Sequence, residues 1–417
     1  MNALARLSTC ALLVVFAAGC SDEAVPAGGG TGGGGNPDCA ATLTPGADDQ
    51  SVVQTALIEA SAGDTLCFAA GTFSFQSELS LSASDVILRG AGIDETVLDF
   101  VSQTTGANGM VITGDRVTVE SLTAKNTPGD GIRATDVEDI TFRDVAVRWD
   151  AAASTANGAY GLYPVGSSGV RIEGCVVNGA RDAGIYVGQS ERILVTGSEA
   201  HGNVAGIEIE NSTDAEVVDN HVHDNTGGLL VFNLPGLPVQ DGKRANVHQN
   251  IVENNNLKSF AEAGTVVAAV PPGIGILILA SDDNEIHDNE IRNNRSVGFV
   301  LLNYTTALFE PHNDPDFDGF PQGNYIHDNL FDGNGTDADV LVAALTTEVP
   351  VPAIMDDGCV PEDTTPGPED VNCFWENVDA ADAPASYYDF NLCGDGDKSS
   401  DIAPVTCQHD ALPSQDP

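Results

Sequence analysis

Glycine and apolar residues return along this chain with a fixed period. Gly184-Ile185-Tyr186-Val187, Gly206-Ile207-Glu208-Ile209 and Gly228-Leu229-Leu230-Val231 start 22 residues apart. Each line continues into a second apolar run ahead of a small polar residue: Ile193-Leu194-Val195 before Ser198, and Val217-Val218 before Asn220. The alternation is that of short strands, and no helical period runs through the unit. Self-similarity at a period of roughly 20–50 residues marks a stacked repeat. The pattern therefore predicts the coils of a parallel β-helix. One coil cannot bury its inward residues alone and needs coils about 4.8 Å above and below it. Inward places must stay apolar, whereas outward places are free to carry function.

Before the stack, Val52, Val53, Ala56, Leu57 and Ala60 follow a helical period, which predicts a helix over 48–60. An end coil exposes an apolar edge, so this helix reads as a cap. Gly63-Asp64-Thr65-Leu66-Cys67-Phe68, Gly71-Thr72-Phe73 and Val86-Ile87-Leu88-Arg89-Gly90-Ala91-Gly92 then begin the coils. Gly131-Ile132-Arg133-Ala134 and Gly161-Leu162-Tyr163-Pro164 open further ones. Later, the Ile286–Asn294 stretch matches the Ile326–Asn334 stretch place for place. Asn220, Asn250, Asn289 and Asn329 fall in one column and are expected to stack as a ladder in left-handed turns, because asparagine tolerates that backbone. Cys175 falls in the same column and reads as a small buried thiol. Insertions at 234–245, 256–272 and 304–323 interrupt the later coils. Outward places from Leu229 onward turn apolar (Leu230, Phe232, Leu277, Leu279, Val300, Leu302), so these insertions or the C-terminal tail are expected to cover them.

The capping helix, the Gly-Asp-Thr-Leu strand, the Gly-Thr-Phe turn and the Leu-Arg-Gly-Ala-Gly coil together resemble right-handed parallel β-helix proteins of the pectin-lyase-like superfamily. Within it they resemble the bacterial carbohydrate-binding and sugar-hydrolase type. The resemblance covers about Thr42 to Leu345. It implies an all-β, right-handed parallel β-helix solenoid over 39–345, with an N-terminal capping helix and a small disulfide-tied C-terminal appendage at 346–417. It implies fold more than chemistry, since lyases, hydrolases, epimerases and binders share it.

Charge and termini narrow the setting. With 62 acids against 16 bases the formal net charge is −46, which argues against nucleic acid or an anionic membrane surface as partner. Arg6 precedes the apolar run 11–16, which is too short for an ordinary membrane span and ends in Ala17-Ala18-Gly19-Cys20. That ending resembles a bacterial lipobox, with alanine at 17 where leucine is more usual. The resemblance implies a signal peptide over 1–20, lipidation of Cys20 and an exported outer-membrane or cell-surface lipoprotein. The glycine-rich stretch within 21–38 then reads as a tether. In such a compartment Cys39, Cys67, Cys359, Cys373, Cys393 and Cys407 are disulfide candidates whose pairing the sequence leaves open. No spacing indicates zinc, haem or a nucleotide, and a monomer is expected.

Four constellations carry candidate chemistry. With Ile132, Leu162, Ile185 and Ile207 inward, Arg133, Tyr163, Tyr186 and Glu208 line up outward on successive coils, and Asn211, Asn233 and Asn303 share another column. Rings that pack on sugar faces and polar groups that bond hydroxyls suit a polysaccharide, with Arg133, Tyr163, Tyr186, Glu208, Asn233 and Asn303 as binding residues. An ordinary solvated strand face accounts for the same residues. His248, His287 and His327 share a column, either as a repeat-template ladder or as a metal or acid–base site. Asp314, Asp316 and Asp318, followed by Gly319, offer alternate oxygen ligands to calcium, although Tyr325 stands where an EF-hand needs glutamate. Glu310-Pro311-His312-Asn313 resembles the Asp-Pro-His-Asp motif of mannuronan epimerases at Pro311 and His312 only. That resemblance implies His312 as the base of a uronate lyase or epimerase. The expectation is thus a surface-anchored β-helix that binds polysaccharide or a cell-surface glycan, with lyase or epimerase chemistry on uronates in view. The alternative is a non-catalytic structural or adhesion β-helix with a protein partner.

Overall fold

The computed structural model describes residues 38–304, 309, 312–361, 367–394 and 398–415. Cys20, the lipobox-like stretch and the tether lie outside the described residues. Among those described, no helix is long and apolar enough to cross a membrane.

Each coil turns through three short strands. In one of them, Ala183–Gly188 joins an 11-stranded sheet, while Glu191–Thr196 and Glu199–His201 join a 21-stranded sheet that wraps the other sides. Every strand pairs in parallel with its counterpart one coil away, as stacked identical units require. Ile132, Leu162, Ile185, Ile207, Leu229, Ile276, Phe299 and Ile354 superpose coil over coil and are fully buried. The expected inward column is therefore present, and each such aliphatic contributes about 1.5–3 kcal/mol by leaving water.

The corners are held by polar ladders. The amide oxygen of Asn289 accepts from the backbone N–H and side-chain amide of Asn250 at 3.0 Å each, and Asn289 donates in turn to Asn329. The column runs from Cys175 and Ser198 through Asn220 to Asn377. A second ladder links Asn203, Asn225, Asn255, Asn294 and Asn334. The left-handed backbone is found one residue earlier than expected, at Asp219, Gln249, Asp288 and Asp328. These residues make the corner, and the asparagines that follow bond it.

The capping helix, α1 (Asp49–Glu59), buries Val53 and Leu57, whereas Val52 points to solvent. Its Gln50 accepts the N–H groups of Gln76 and Ser77, and Gln54 that of Ser80, so the helix closes the open edge of the first coils. The Cys39–Cys67 disulfide pins the first strand beside it. At the other end the segment from 346 is disulfide-tied, through Cys359–Cys393 and Cys373–Cys407. It also continues the stack: Ile354–Asp356, Cys373–Trp375 and Tyr387–Asp389 add strands to both sheets. Beyond Cys407 the chain runs back along the 21-stranded sheet. Leu412 donates its N–H to Glu285 at 2.5 Å, and Ser414 and Gln415 donate to Glu216 at 2.8 and 2.6 Å.

The apolar outward face is covered as expected. Leu230, Phe232, Leu277 and Val300 pack under Phe260, Val267 and Val270 of one insertion, Phe317 of another, and Val342 of the short helix Val340–Ala343.

Candidate functional site

Alternate places on the 11-stranded sheet face away from the solenoid's interior. Tyr163 pairs with Arg133 and Tyr186 with Glu208, so these four stand in one outward column on adjacent coils. Strand geometry puts them about 4.8 Å apart. Further along, the same column carries Leu230, Leu277, Val300 and Met355, so its polar part lies upstream of the covered apolar part.

Around this column the structure gathers residues that the sequence pattern did not single out. Tyr160 stacks on Tyr163 with ring centroids 4.5 Å apart, and Tyr186 meets them at 4.7 and 4.9 Å. The Arg133 guanidinium lies over the Tyr163 ring at 4.9 Å, which couples a cation to a π face. Tyr186 donates its hydroxyl to Glu210 at 2.7 Å, and Gln189 donates to both. The turn of the Tyr186 ring depends on Gly188: a Cβ there would stand 2.3 Å from the phenol oxygen. Tyr160 bonds Asp182, and Arg133 approaches Asp130 at 3.8 Å.

Burial sets the electrostatics. Glu208 is 3 % exposed and Glu210 9 %, deeper than an outward strand position suggests. Loss of water pushes the Glu208 carboxyl well up, and the charges of Glu210 and Asp182 push it further. Glu210 is raised by burial against the pull of its bonds to Tyr186, Glu208 and Gln189. Asp182 is raised by burial and then by Glu210. Asp130 rises to about 6 through burial, partly offset by Arg133. Acids held protonated beside ionised ones, with tyrosines in contact, can give and take protons near neutral pH. One carboxylate oxygen of Glu208 is buried without a hydrogen-bond partner.

Period 2 along Glu208-Ile209-Glu210 placed Glu210 on the same face, and that signal was available. Asp130 and Tyr160 immediately precede the repeat glycines Gly131 and Gly161, and Asp182 stands two places before Gly184, so the residue type at the coil entry changes from coil to coil. No column pointed to them.

Two expected binding residues are corrected. Asn233 is 1 % exposed and spends its amide on the backbone of Gly242 and Ala280, so it fixes a corner and has nothing left for a ligand. Asn303 is also buried, its side-chain N–H donated to the Cys393 sulfur and its backbone N–H to Asp357, while its amide oxygen has no partner.

His312 is not brought to the tyrosines. Its insertion leaves the stack five coils beyond Tyr163, and its ring packs edge-on against Tyr304 and Phe317. Asp314 accepts from the Gly236 N–H and the Gln240 amide, tying two insertions together, and Asp318 accepts from Phe320 and Gln322. Among the described residues no three His, Cys, Asp or Glu side chains are grouped to hold a metal ion.

The histidine column is stacked, with His248, His287 and His327 at 4.8 and 5.0 Å and nearly parallel. Glu216 and Glu285 accept from His248 and His327, and the same two carboxylates take the tail's donors. His248 and His327 are thus engaged, through those glutamates, in holding the C-terminal tail, while His287 between them bonds Asn246 and Asp288.

Residues 108–267 match the family described as a right handed beta helix region. No curated protein sequence matches the chain. Among solved structures the chain is similar to the A-module of the Azotobacter vinelandii mannuronan C-5 epimerase AlgE4. That likeness has TM-score 0.56 and 16 % identity, over 81 % of this chain and 95 % of that one. The AlgE6 A-module of the same organism gives TM-score 0.47 and 14 % identity, over 76 % and 84 %. At such identities a likeness speaks for fold alone. The chain is a right-handed parallel β-helix of the pectin-lyase-like fold.

Proposed function

We propose that the chain is a carbohydrate-active β-helix that seats a polysaccharide on the outward face of its 11-stranded sheet, across Tyr160 and Tyr163, with the buried Tyr186 packed against both. The observation that carries this reading is the joined set of three rings and Arg133, set over buried acids on consecutive coils. A pyranose offers an apolar face of C–H groups to such rings and hydroxyls to the polar rim of Arg133, Gln189 and Asp130. The coil spacing repeats along the face, as units repeat along a glycan. Asp182, Glu208 and Glu210 supply the acid–base groups that turnover would need. The shared fold with a mannuronan epimerase module supports a polysaccharide as ligand. Export and lipidation at Cys20 would place the face where such polymers are met.

A glycan array tests the reading. The protein is expected to retain a defined set of polysaccharides, and a Tyr163→Ala/Tyr186→Ala double variant of unchanged secondary structure is expected to lose them. Silence of the wild type across the array, or retention by the double variant, would overturn it.

A further inference from the structure

Beyond the tyrosines, the covered part of the 11-stranded sheet holds a cavity of about 450 Å3. Its floor is Leu277, Val300 and Met355, successive members of the outward column, and its walls include Val270 of an insertion and Val342 of the short helix. Among the described residues the lining is apolar throughout. A sugar or a peptide in this space would leave hydroxyls or amides without partners, a cost that an aliphatic chain does not meet. The size is that of a small-molecule site. Leu341 lines the cavity yet is 61 % exposed, and Val340 beside it is 76 % exposed, so the cavity opens to solvent at this helix.

An unpaired cation borders that opening. The chain has 16 bases against 62 acids, and most of the bases are spent in ion pairs. Among the described residues Lys258, Arg295 and Lys398 make none. Lys398 is engaged by the carbonyl of Leu345. Arg295 stands two residues before Val297, which lines the cavity. Its stem crosses Gly273, where a Cβ would lie 2.5 Å from the arginine Cγ. The Arg295 carbonyl accepts the Asp337 N–H at 3.0 Å, and the Ser296 hydroxyl accepts the Asp339 N–H at 2.8 Å. Arg295 therefore adjoins the segment that leads into Val340 and Leu341. Asp339 itself caps that helix, accepting the Leu341 N–H at 3.0 Å.

We infer that the cavity holds the alkyl chain of a long-chain fatty acid, with the carboxylate at Arg295. The inference is independent of the polysaccharide face. A guanidinium fork matches a carboxylate with two parallel donors. Behind it the chain takes its methylenes out of water. A phosphate head would bring a second negative charge beside Asp337 and Asp339, whereas a carboxylate balances the one cation.

Calorimetric titration in about 150 mM salt compares octanoate, decanoate and dodecanoate with dodecanol, dodecyl phosphate and dodecyltrimethylammonium, each below its micellar concentration. Carboxylate affinity is expected to rise about three- to fourfold per methylene. Dodecanoate is expected to bind at least tenfold more tightly than dodecanol or the ammonium, with the phosphate between. The net charge of −46 would favour the ammonium, so a preference for the anion reports the local cation. Arg295→Gln is expected to bring dodecanoate down to the level of dodecanol and to leave dodecanol unchanged. Val300→Trp, which fills the cavity, is expected to abolish binding. Leu341→Asp at the exposed opening is expected to weaken it at least tenfold, and serves if Val300→Trp fails to fold. Silence of dodecanoate, affinity that does not grow with chain length, or binding that survives these two substitutions overturns the inference. Another dodecyl probe that binds as tightly as dodecanoate, or a preference that survives Arg295→Gln, overturns the carboxylate assignment.

Discussion

Glu285 and His327 pair across adjacent coils, Oε1 to Nε2 at 3.0 Å, and the other oxygen of Glu285 holds the N–H of Leu412. Burial alone would lower the His327 pKa, but bonds to Glu285 and Asp328 outweigh it and raise it. Burial alone would raise Glu285, but bonds from His327 and Leu412 outweigh it and lower it. The histidine contribution is full below its ordinary 6.5 and fades as pH rises through the raised value. The glutamate contribution is full above its ordinary 4.5 and fades as pH falls through the lowered value. The pair therefore holds the tail best between these limits. Hydrogen exchange at 409–415 is expected to be slowest near about pH 5–6, after correction for intrinsic rates. Protection that is flat from pH 4 to 8 would contradict this.

Whole-molecule stability is expected to lean to the acid side. Burial raises Asp130 to about 6, Asp357 to about 7 and Asp282 to about 8, from an ordinary 3.8. A folded state that binds more protons than the unfolded chain loses stability as pH climbs from the unfolded to the folded pKa. The melting temperature is expected to fall between pH 5 and pH 8. A rise over that interval would show that these carboxyls are ionised at no cost.

At the tyrosines, Gly188→Ala is the sharpest probe, because its methyl group would collide with a ring that has nowhere to go. Binding of the array-selected glycan should drop at least tenfold while the coil register survives. Tyr186→Phe keeps the ring and removes the donor to Glu210 together with an acceptor of Gln189, a loss of roughly 1–3 kcal/mol in stability. Denaturant titration and binding measured side by side separate the two effects. A Gly188→Ala protein that binds as wild type would remove Tyr186 from the site.

The asparagine column offers a graded test. Asn289→Ala strips partners from the Asn250 N–H and side chain and from Asn329, at a cost of about 3 kcal/mol for buried groups left unmade. Asn220→Ser should cost about 1 kcal/mol, because Ser198 one coil away already serves the column with its hydroxyl. Equal losses in urea titrations of the two variants would mean that the ladder is not what the asparagines supply.

The stack was legible because burial imposes the same demand on every coil: Ile185, Ile207 and Leu229 repeat since each must fill the same interior place. The Cys175 position was legible for the same reason, and its burial raises the thiol to about 12. The site was legible only where it obeys the repeat. Arg133, Tyr163, Tyr186 and Glu208 share a column, whereas Tyr160 and Asp182 reach the cluster from coil entries, where the residue type changes from coil to coil. Asn233 and Asn303 misled because their column is a buried corner, where the Asn233 amide serves the backbone and the Asn303 amide donates to the Cys393 sulfur. Side chains on insertions, such as His312, follow no register, so their neighbours cannot be read from spacing at all.

The returning tail changes how such a molecule comes apart. In a one-dimensional pile each layer touches only those beside it, and layers peel singly from a free end. Here Cys407 is tied to Cys373 while Gln415 grips Glu216, four layers upstream. The terminal layers cannot fray one at a time without releasing that clasp, so they should open as one cooperative block, with the chain's last residues as its latch.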